Sequence, residues 1–150
     1  MIKKAIGNLV RDAHNYDVIV HGANCFCIMG AGIALQIKNK FPEAYDVDCA
    51  TIKGDRNKLG DISCTVNTVP TVVNAYTQYW LKGRNGEIAA DYTAIREALL
   101  KLKIQFYGKK IGIPMIGAGL AGGDWNKIEA IINDVLGDQD VTIVEWDGLD

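Results

Sequence analysis

The alternation of buried strands, glycine-rich turns and helical patterns is the feature that most constrains this fold. Residues 17–23 and 111–116 are nearly continuous apolar runs, as is typical of strands buried on both faces of a sheet. Glycine-rich stretches follow both of them, at residues 30–32 and 117–123, and each stretch leads into a helical pattern. Repeated strand–turn–helix units favour a largely parallel sheet covered by helices.

The rest of the chain continues this alternation. Apolar residues spaced by four and three predict a long helix over residues 88–107, ended by Gly108. The other predicted strands cover residues 2–6, 61–66, 71–76 and 141–146, and the other predicted helices cover 33–41, 124–136 and a segment that begins at Pro42. We therefore predict an α/β fold, a three-layer α/β/α sandwich with a mixed, largely parallel central sheet, in a single domain of residues 1–150.

Composition limits the classes of partner. Apolar residues make up 49% of the 150-residue chain, which suits one substantial core. The net charge of −2 argues against an extended nucleic-acid surface, and no apolar run reaches the roughly 18–20 residues that span a bilayer. The four cysteines fit neither a disulfide scaffold nor paired zinc spacing. We expect reduced thiols, a cytoplasmic protein, no membrane partner, no metal and no cofactor.

The two glycine stretches predict a site for a phosphorylated ligand. Both follow strands, so both should lie at the carboxyl edge of the sheet, where ligands bind in such folds. Residues 117–122 match G-x-G-x-x-G, and Glu145 stands where a dinucleotide fold places its ribose-binding acid. A dinucleotide fold needs further strands after this unit, so we give a nicotinamide binder low weight. The remaining interpretations are backbone amides that hold a diphosphate, or glycines that only form tight turns.

At this point the motifs resemble those of a known family. Residues 21–25 (HGANC), with residues 29–34 (MGAGIA) after them, resemble the first signature of macro domains. Residues 114–120 (PMIGAGL), followed by Trp125, are similar to the second. The resemblance extends over essentially the whole chain, and it implies a three-layer α/β/α fold that binds ADP-ribose or its derivatives.

The resemblance also implies the site residues. Asn8 stands where many macro domains carry an adenine-reading Asp, Asn24 would bind the distal ribose, and the amides of residues 117–122 would bind the diphosphate. Trp146 is expected either against the adenine or in the core, and Tyr76 in the sugar pocket or in the packing. The full set of predicted ligand-binding residues is Asn8, Ala23, Asn24, Gly30, Ala31, Gly32, Ile33, Tyr76, Gly117, Ala118, Gly119, Leu120, Ala121, Gly122 and Trp146.

Within the superfamily the chain looks most similar to the branch of yeast-type ADP-ribose-1″-phosphate phosphatases and terminal ADP-ribose glycohydrolases. The glycohydrolases of that branch use a lysine after the middle strand and an acid in the second loop, positions that are Gln78 and Ala121 here. Neither residue can perform that chemistry. The resemblance therefore implies hydrolysis of ADP-ribose-1″-phosphate, with two alternatives: a non-catalytic ADP-ribose-binding module, or a glycohydrolase or deacetylase without a lysine nucleophile. ADP-ribosylated macromolecules are possible partners.

Two residues are candidates for the chemistry. His21 ends a buried strand beside the first loop, where an imidazole could carry a proton, or could simply be a buried, hydrogen-bonded histidine. Asp124 follows the second loop, where it could orient a water molecule or cap the helix that begins there. Both interpretations stay open for each residue.

Overall fold

A computed structural model describes residues 2–149. The strands, in chain order, are β1 (Ile2–Gly7), β2 (Val18–Ala23), β3 (Ile62–Cys64), β4 (Thr71–Tyr76), β5 (Ile111–Pro114) and β6 (Val141–Trp146). The helices are α1 (Gly32–Lys40), α2 (Pro42–Cys49), α3 (Tyr92–Gln105) and α4 (Trp125–Leu136), with short 3-10 turns at Ala13–Asn15 and Arg56–Lys58. Every predicted strand and helix is present.

The strands form one sheet in the order β1-β6-β5-β2-β4-β3. All neighbours in it are parallel except β3, which pairs antiparallel with β4. The prediction of a mixed, largely parallel sheet is therefore confirmed.

Helices cover both faces of this sheet. On one face, α3 and α4 bury Leu99 and Ile128 against Ile113 and other strand residues. On the opposite face, Ile37 of α1 and Ala44 of α2 pack against the sheet in a second, smaller cluster. Burial of apolar side chains in these two layers supplies the main driving force for this arrangement.

The long helix begins later than the sequence pattern predicts. Residues 88–107 were the expected span, but α3 starts at Tyr92 because the Asp91 side chain accepts a hydrogen bond from the Ala94 amide, at 2.9 Å, and caps the helix there. Ile88, which fits the helical period, precedes the helix and is exposed. Ile88 therefore fits the helical spacing of apolar residues without belonging to the helix.

Two strands are shorter than predicted. The strand expected at residues 61–66 is limited to β3, and the strand expected at 111–116 ends at Pro114. There the Ile116 amide donates to the Pro114 carbonyl at 2.7 Å, which turns the chain out of the sheet. The turn brings the second glycine stretch beside the end of β2, because β2 and β5 are neighbours. No helix within residues 2–149 is both long and apolar enough to cross a membrane.

Candidate functional site

An inner cavity of about 270 Å³ lies at the carboxyl ends of β2 and β5. Residues 28–34, from the first loop and the start of α1, and Gly117 and residues 119–121 of the second loop form more than half of its wall. The rest comes from residues 21–24 and 114–116, at the ends of β2 and β5, and from Gln78 and Leu81, which follow β4. The two glycine stretches therefore meet at one rim of the sheet, as their positions after parallel strands predict.

An outer groove of about 780 Å³ continues from the inner cavity toward the end of β6. Asn8, Leu9 and Trp146 are part of its wall. The two hollows share the lining residues Gly32, Ile33, Pro114, Met115 and Gly119. Together they form a single elongated cleft with room for an extended ligand.

The described lining of the inner cavity contains no charged side chain. Its polar side chains are those of His21, Asn24 and Gln78. The outer groove has one charged residue in its described wall, the acidic Glu145, and no lysine or arginine. An anionic ligand in this cleft must therefore be held by backbone amides and helix termini rather than by lysine or arginine.

The start of α1 offers such amides. The first turn of a helix leaves N–H groups without intrahelical partners, and a polar N-cap side chain usually satisfies one of them. The N-cap of α1 is Ala31, and this helix end has no side-chain cap in the part of the chain described. Gly32, Ile33 and Ala34 of that turn line the inner cavity. The end of α1 that faces the cavity is thus open to an anion.

The second loop offers amides of a different kind. It folds on itself through hydrogen bonds from the Gly122 amide to the Gly119 carbonyl, at 2.9 Å, and from the Gly123 amide to the Gly117 carbonyl, at 2.8 Å. The amides of Gly119, Leu120 and Ala121 make no hydrogen bond within residues 2–149. These three residues also line the cavity.

The glycines of the two loops divide into two groups. Gly117 and Gly122 have φ angles of +75° and +70°, so the turn itself requires glycine there. A Cβ atom on Gly123 would lie 2.7 Å from the Gly117 carbonyl oxygen, so close packing excludes one. Gly30 and Gly119 have neither constraint, because their backbones are unstrained and a Cβ atom would meet nothing closer than 3.9 Å. The fold does not require glycine at these two positions. The absence of a side chain there leaves the cavity wall accessible to a ligand.

His21 is fully buried and is one of the residues that line the cavity. Its Nε2 atom lies 2.6 Å from Oδ1 of Asn74, while Nδ1 has no partner in the described chain. Burial lowers the pKa of His21, against a smaller opposing effect of the Asn74 hydrogen bond. The imidazole is therefore neutral near neutral pH.

Asn24 shapes the first loop. Its Nδ2 donates to the Ile28 carbonyl and its Oδ1 accepts from the Phe26 amide, both at 2.9 Å. The side chain is buried and lines the cavity, so it lies where a ribose contact was predicted. Its carbonyl already accepts a backbone hydrogen bond, and a ligand would share it.

Asn8 and Trp146 lie together in the outer groove. Oδ1 of Asn8 accepts from the amides of Val10 and Arg11, and its Nδ2 donates to the Leu149 carbonyl. The indole N–H of Trp146 donates to the same carbonyl, at 3.0 Å, and the side chain is 60% exposed. Trp146 is therefore not a core residue. The contact of Asn8 with adenine stays a prediction, because its carbonyl oxygen already has two donors.

The structure leaves Tyr76 and Asp124 outside the inner cavity. Tyr76 is buried beneath α2, where its hydroxyl donates to Asp48 at 2.7 Å, and it is not part of the described wall. The even-numbered residues of β4 point toward the layer that contains α1 and α2. Tyr76 therefore contacts α2 and does not reach the inner cavity. Asp124 is exposed, and its carboxylate accepts from the Asn126 amide at 2.9 Å as the N-cap of α4. Its capping role is shown, and a catalytic role stays a prediction.

Gln78 and Ala121, the two departures from the glycohydrolase pattern, both line the inner cavity. The Gln78 amide nitrogen donates to the carbonyls of Trp80 and Leu81, at 2.8 and 2.9 Å, which fixes the side chain against the loop after β4. Lys82, the lysine nearest in sequence, is exposed and is not part of the described wall. A lysine nucleophile is thus missing from the described cavity.

Some residues of the site were not identified from the sequence. Leu81 lines the cavity and Asn74 holds His21, yet no role in the site was predicted for either residue. Met115 also lines the cavity, and it was noted only as part of the second signature. Asn74 could have been found from strand register, because it pairs directly with His21 across β2 and β4. The Cys25 and Cys27 thiols have pKa values raised by burial, and residues 2–149 contain no cluster of three or more potential metal ligands.

Comparison with known proteins relates the chain to several others. It is 36% identical over 141 residues to an uncharacterised 17.5 kDa protein from the tk-vs intergenic region of Enterobacteria phage T4, with 87% of each chain covered. It is 27% identical to a DNA ADP-ribosyl glycohydrolase of Mycobacterium tuberculosis, covering 86% of this chain and 37% of that protein. It is 25% identical to the bovine ADP-ribose glycohydrolase OARD1, covering 87% and 81%.

Solved structures show the same architecture. A protein of unknown function from Bacteroides thetaiotaomicron superposes with a TM-score of 0.78 at 26% identity, covering 97% of this chain and 98% of the other. The family model named Macro domain matches residues 20–132, which include both glycine loops and most of the sheet. From this match and from the fold, the chain belongs to the macro domain family.

Proposed function

We propose that the cleft binds ADP-ribose and that the protein hydrolyses a substituent from C1″ of its distal ribose, with phosphate as the leading candidate. The observation that carries this proposal is the uncharged wall of the inner cavity, in which two loops present unpartnered amides. Such a site suits a ligand whose charge is on phosphate groups, which main-chain amides can hold, and whose other parts are neutral rings.

The diphosphate belongs where the inner cavity and the outer groove meet. Gly32 and Ile33 at the start of α1 and Gly119 of the second loop line both hollows. An anion there is within the field of an uncapped nine-residue helix, and Glu145, the one acidic side chain in the described wall of the cleft, lines only the outer groove.

The two ends of the ligand follow from this placement. The adenosine would occupy the outer groove, with the exposed Trp146 ring available for contact with the adenine. The distal ribose would occupy the inner cavity, whose polar side chains are His21, Asn24 and Gln78. Hydroxyl groups of a sugar can pair with these side chains without any charge in the wall.

In the phosphatase reaction, water attacks phosphorus, the bond between phosphorus and the 1″ oxygen breaks, and ADP-ribose and inorganic phosphate are the products. The leaving oxygen takes up a proton. His21 is the only titratable side chain in the described cavity wall, so it is our candidate for proton transfer. Because its imidazole is neutral at pH 7, it would first accept a proton from the attacking water.

The second candidate reaction is removal of ADP-ribose from a macromolecule or an acetyl ester. It is favoured by two relatives, from Mycobacterium tuberculosis and cattle, which are named as a DNA ADP-ribosyl glycohydrolase and an ADP-ribose glycohydrolase. The lysine-dependent route is disfavoured, because the resemblance places Gln78 and Ala121 where that route uses a lysine and an acid, and both residues line the cavity. A non-catalytic binding module is the third candidate, favoured by the small number of reactive side chains.

One set of assays separates the three candidates. The pure protein is incubated with ADP-ribose-1″-phosphate, with an ADP-ribosylated protein and with an ADP-ribosylated DNA oligonucleotide, and the release of phosphate or of ADP-ribose is followed. His21→Gln is the test variant, and His14→Gln, at an exposed position, is its matched control. Phosphate release that is lost only in His21→Gln supports the proposal. Tight ADP-ribose binding without any release would reduce it to a binding module.

A further inference from the structure

A row of hydrogen-bonded side chains runs from the cavity wall into the layer beneath α2. Strand register places His21 of β2, Asn74 of β4 and Ser63 of β3 directly beside one another. Tyr76, two residues beyond Asn74 on the same face, leads on to Asp48 of α2. Apart from Ser63, all of these side chains are buried.

The distances in this row are those of real hydrogen bonds. His21 Nε2 lies 2.6 Å from Asn74 Oδ1, and Asn74 Nδ2 lies 3.1 Å from Ser63 Oγ. Ser63 Oγ lies 2.8 Å from the Tyr76 hydroxyl, which lies 2.7 Å from Asp48 Oδ1. Four consecutive contacts thus connect the histidine to a buried carboxylate.

The direction of every bond in the row is fixed. Nδ2 of Asn74 also donates to the Ala44 carbonyl, at 3.0 Å, and a carbonyl can only accept, so the amide cannot be flipped. Oδ1 of Asn74 therefore faces His21 and must accept, which makes Nε2 of His21 the donor. At the other end, the Tyr76 hydroxyl donates its one proton to Asp48 Oδ1, so Ser63 donates to the Tyr76 oxygen. All four bonds point from His21 to Asp48.

We infer that Asn74, Ser63, Tyr76 and Asp48 are positioning residues that hold His21 as the Nε2–H tautomer and keep Nδ1 as a bare hydrogen-bond acceptor at the cavity wall. Nδ1 has no partner in the described chain, although the ring is completely buried. A buried acceptor without a partner is costly, which is consistent with a donor supplied by the ligand. Aligned hydrogen bonds also strengthen one another, so the distant carboxylate makes His21 a better acceptor.

This inference predicts which chemical groups of a ligand can lie next to His21. A lone pair on Nδ1 attracts a ribose hydroxyl or a water molecule, both of which can donate, and it repels a phosphate oxygen. The functional meaning rests on the proposed ADP-ribose site, in which the distal ribose, or the attacking water during the phosphatase reaction, would donate to Nδ1. The tautomer itself does not depend on that proposal and can be measured without any ligand.

Nitrogen NMR tests the inference directly. The chain has two histidines, and the exposed His14 serves as an internal reference. In protein labelled with ¹⁵N, long-range proton–nitrogen correlations at pH 7 should show His21 with Nε2 protonated and Nδ1 bare. A protonated Nδ1, on a neutral or a charged ring, would overturn the inference without any substitution.

Three variants test the individual links. Asn74→Ala should release His21 into a mixture of tautomers. Ser63→Ala should keep the tautomer, because the Ala44 carbonyl still anchors Asn74, but should move the Nε2–H proton upfield as its hydrogen bond weakens. Thr68→Ala removes another partly buried hydroxyl outside the row and should change neither signal. If Ser63→Ala behaves like Thr68→Ala, the links beyond Asn74 have no role.

Titration with ADP-ribose separates this inference from the proposed function. An upfield shift of the Nδ1 resonance on saturation would show that the ligand donates to it. Saturation without that shift would rule out the acceptor role. Failure of ADP-ribose to bind, with the expected tautomer in place, would instead remove the proposed function and leave the positioning row established.

Discussion

The two glycine loops look alike in sequence, but they present their amides in different ways. The first loop leads into α1, whose N-cap Ala31 has no side-chain cap within the described residues, so the helix end stays open toward the cavity. The second loop leads into α4, whose N-cap Asp124 accepts a hydrogen bond from the Asn126 amide. In the loop itself, the amides of Gly119, Leu120 and Ala121 have no partner within residues 2–149. A strand–glycine–helix pattern thus does not by itself indicate that a helix end binds an anion; the N-cap residue decides it.

The largest effect is expected from a negative charge placed in the second loop. Gly119→Glu should leave stability unchanged, because a Cβ atom there meets no heavy atom within 4 Å and the backbone is unstrained. ADP-ribose affinity should fall at least about a hundredfold, because like charges brought together cost several kcal/mol. Calorimetric titration measures it. Asn126→Glu, at an exposed position of α4, controls for net charge, and equal losses in both variants would contradict a site at the loop.

A smaller effect is expected when α1 is given the cap that it lacks. In Ala31→Asp, the new carboxylate should accept from the Ile33 or Ala34 amide and raise the free energy of unfolding by about 1 kcal/mol. ADP-ribose affinity should fall about tenfold, because the ligand loses those donors. Ala31→Ser supplies an uncharged cap and should show a weaker form of both changes. Chemical denaturation and calorimetry together test this prediction; a more stable variant with unchanged affinity would show that the α1 amides do not bind the ligand.

The opposite change is predicted for α4. Asp124→Ala should lower the free energy of unfolding by about 1 kcal/mol through loss of the cap, while ADP-ribose affinity stays within about twofold. Asp124→Asn, which can still cap, should preserve stability. Comparing turnover in these two variants also tests the catalytic prediction for Asp124: a large loss of rate in both, with binding intact, would mean that the carboxylate does more than cap.

The smallest effect on ligand affinity is expected from adding a methyl group to a glycine of the cavity wall. Gly30→Ala should leave stability unchanged, because its added Cβ atom meets only Ile28, at 3.9 Å, but should weaken ADP-ribose about threefold through crowding of the cavity. Gly117→Ala should show the reverse, a loss of about 1 kcal/mol of stability because its φ of +75° disfavours a side chain. Thermal melts and binding curves of the pair would distinguish ligand-facing from turn-forming glycines.

Much of this architecture could be predicted from the sequence because apolar runs and glycine positions are local signals. The strands from β1 to β6, the cap at Asp124 and the meeting of the two loops all follow from them. The start of α3 did not, because Ile88 continues the apolar period but Asp91 caps the helix three residues later. Here the capping hydrogen bond, and not the apolar spacing, determines where the helix begins.

The candidate site was less predictable, because its geometry depends on which strands are neighbours. His21 could be identified by its position at a strand end, but its partner Asn74 lies 53 residues away and is recognised only through the β2–β4 register. The same register puts Tyr76 under α2 instead of in the cavity. The sequence pattern does not distinguish an exposed Trp146 from a buried one. In the structure the end of β6 is exposed, and Trp146 with it.

The described wall of the inner cavity has no charged side chain, and this affects how salt should change ligand binding. Recognition through lysine or arginine weakens steeply as salt screens the attraction, whereas short contacts to main-chain N–H groups inside a recess are screened much less. If the inner cavity binds as we propose, raising the sodium chloride concentration from about 0.05 M to 0.5 M should change the ADP-ribose dissociation constant only slightly. The protein would then distinguish its ligand by shape and donor placement, in dilute and in concentrated electrolyte alike.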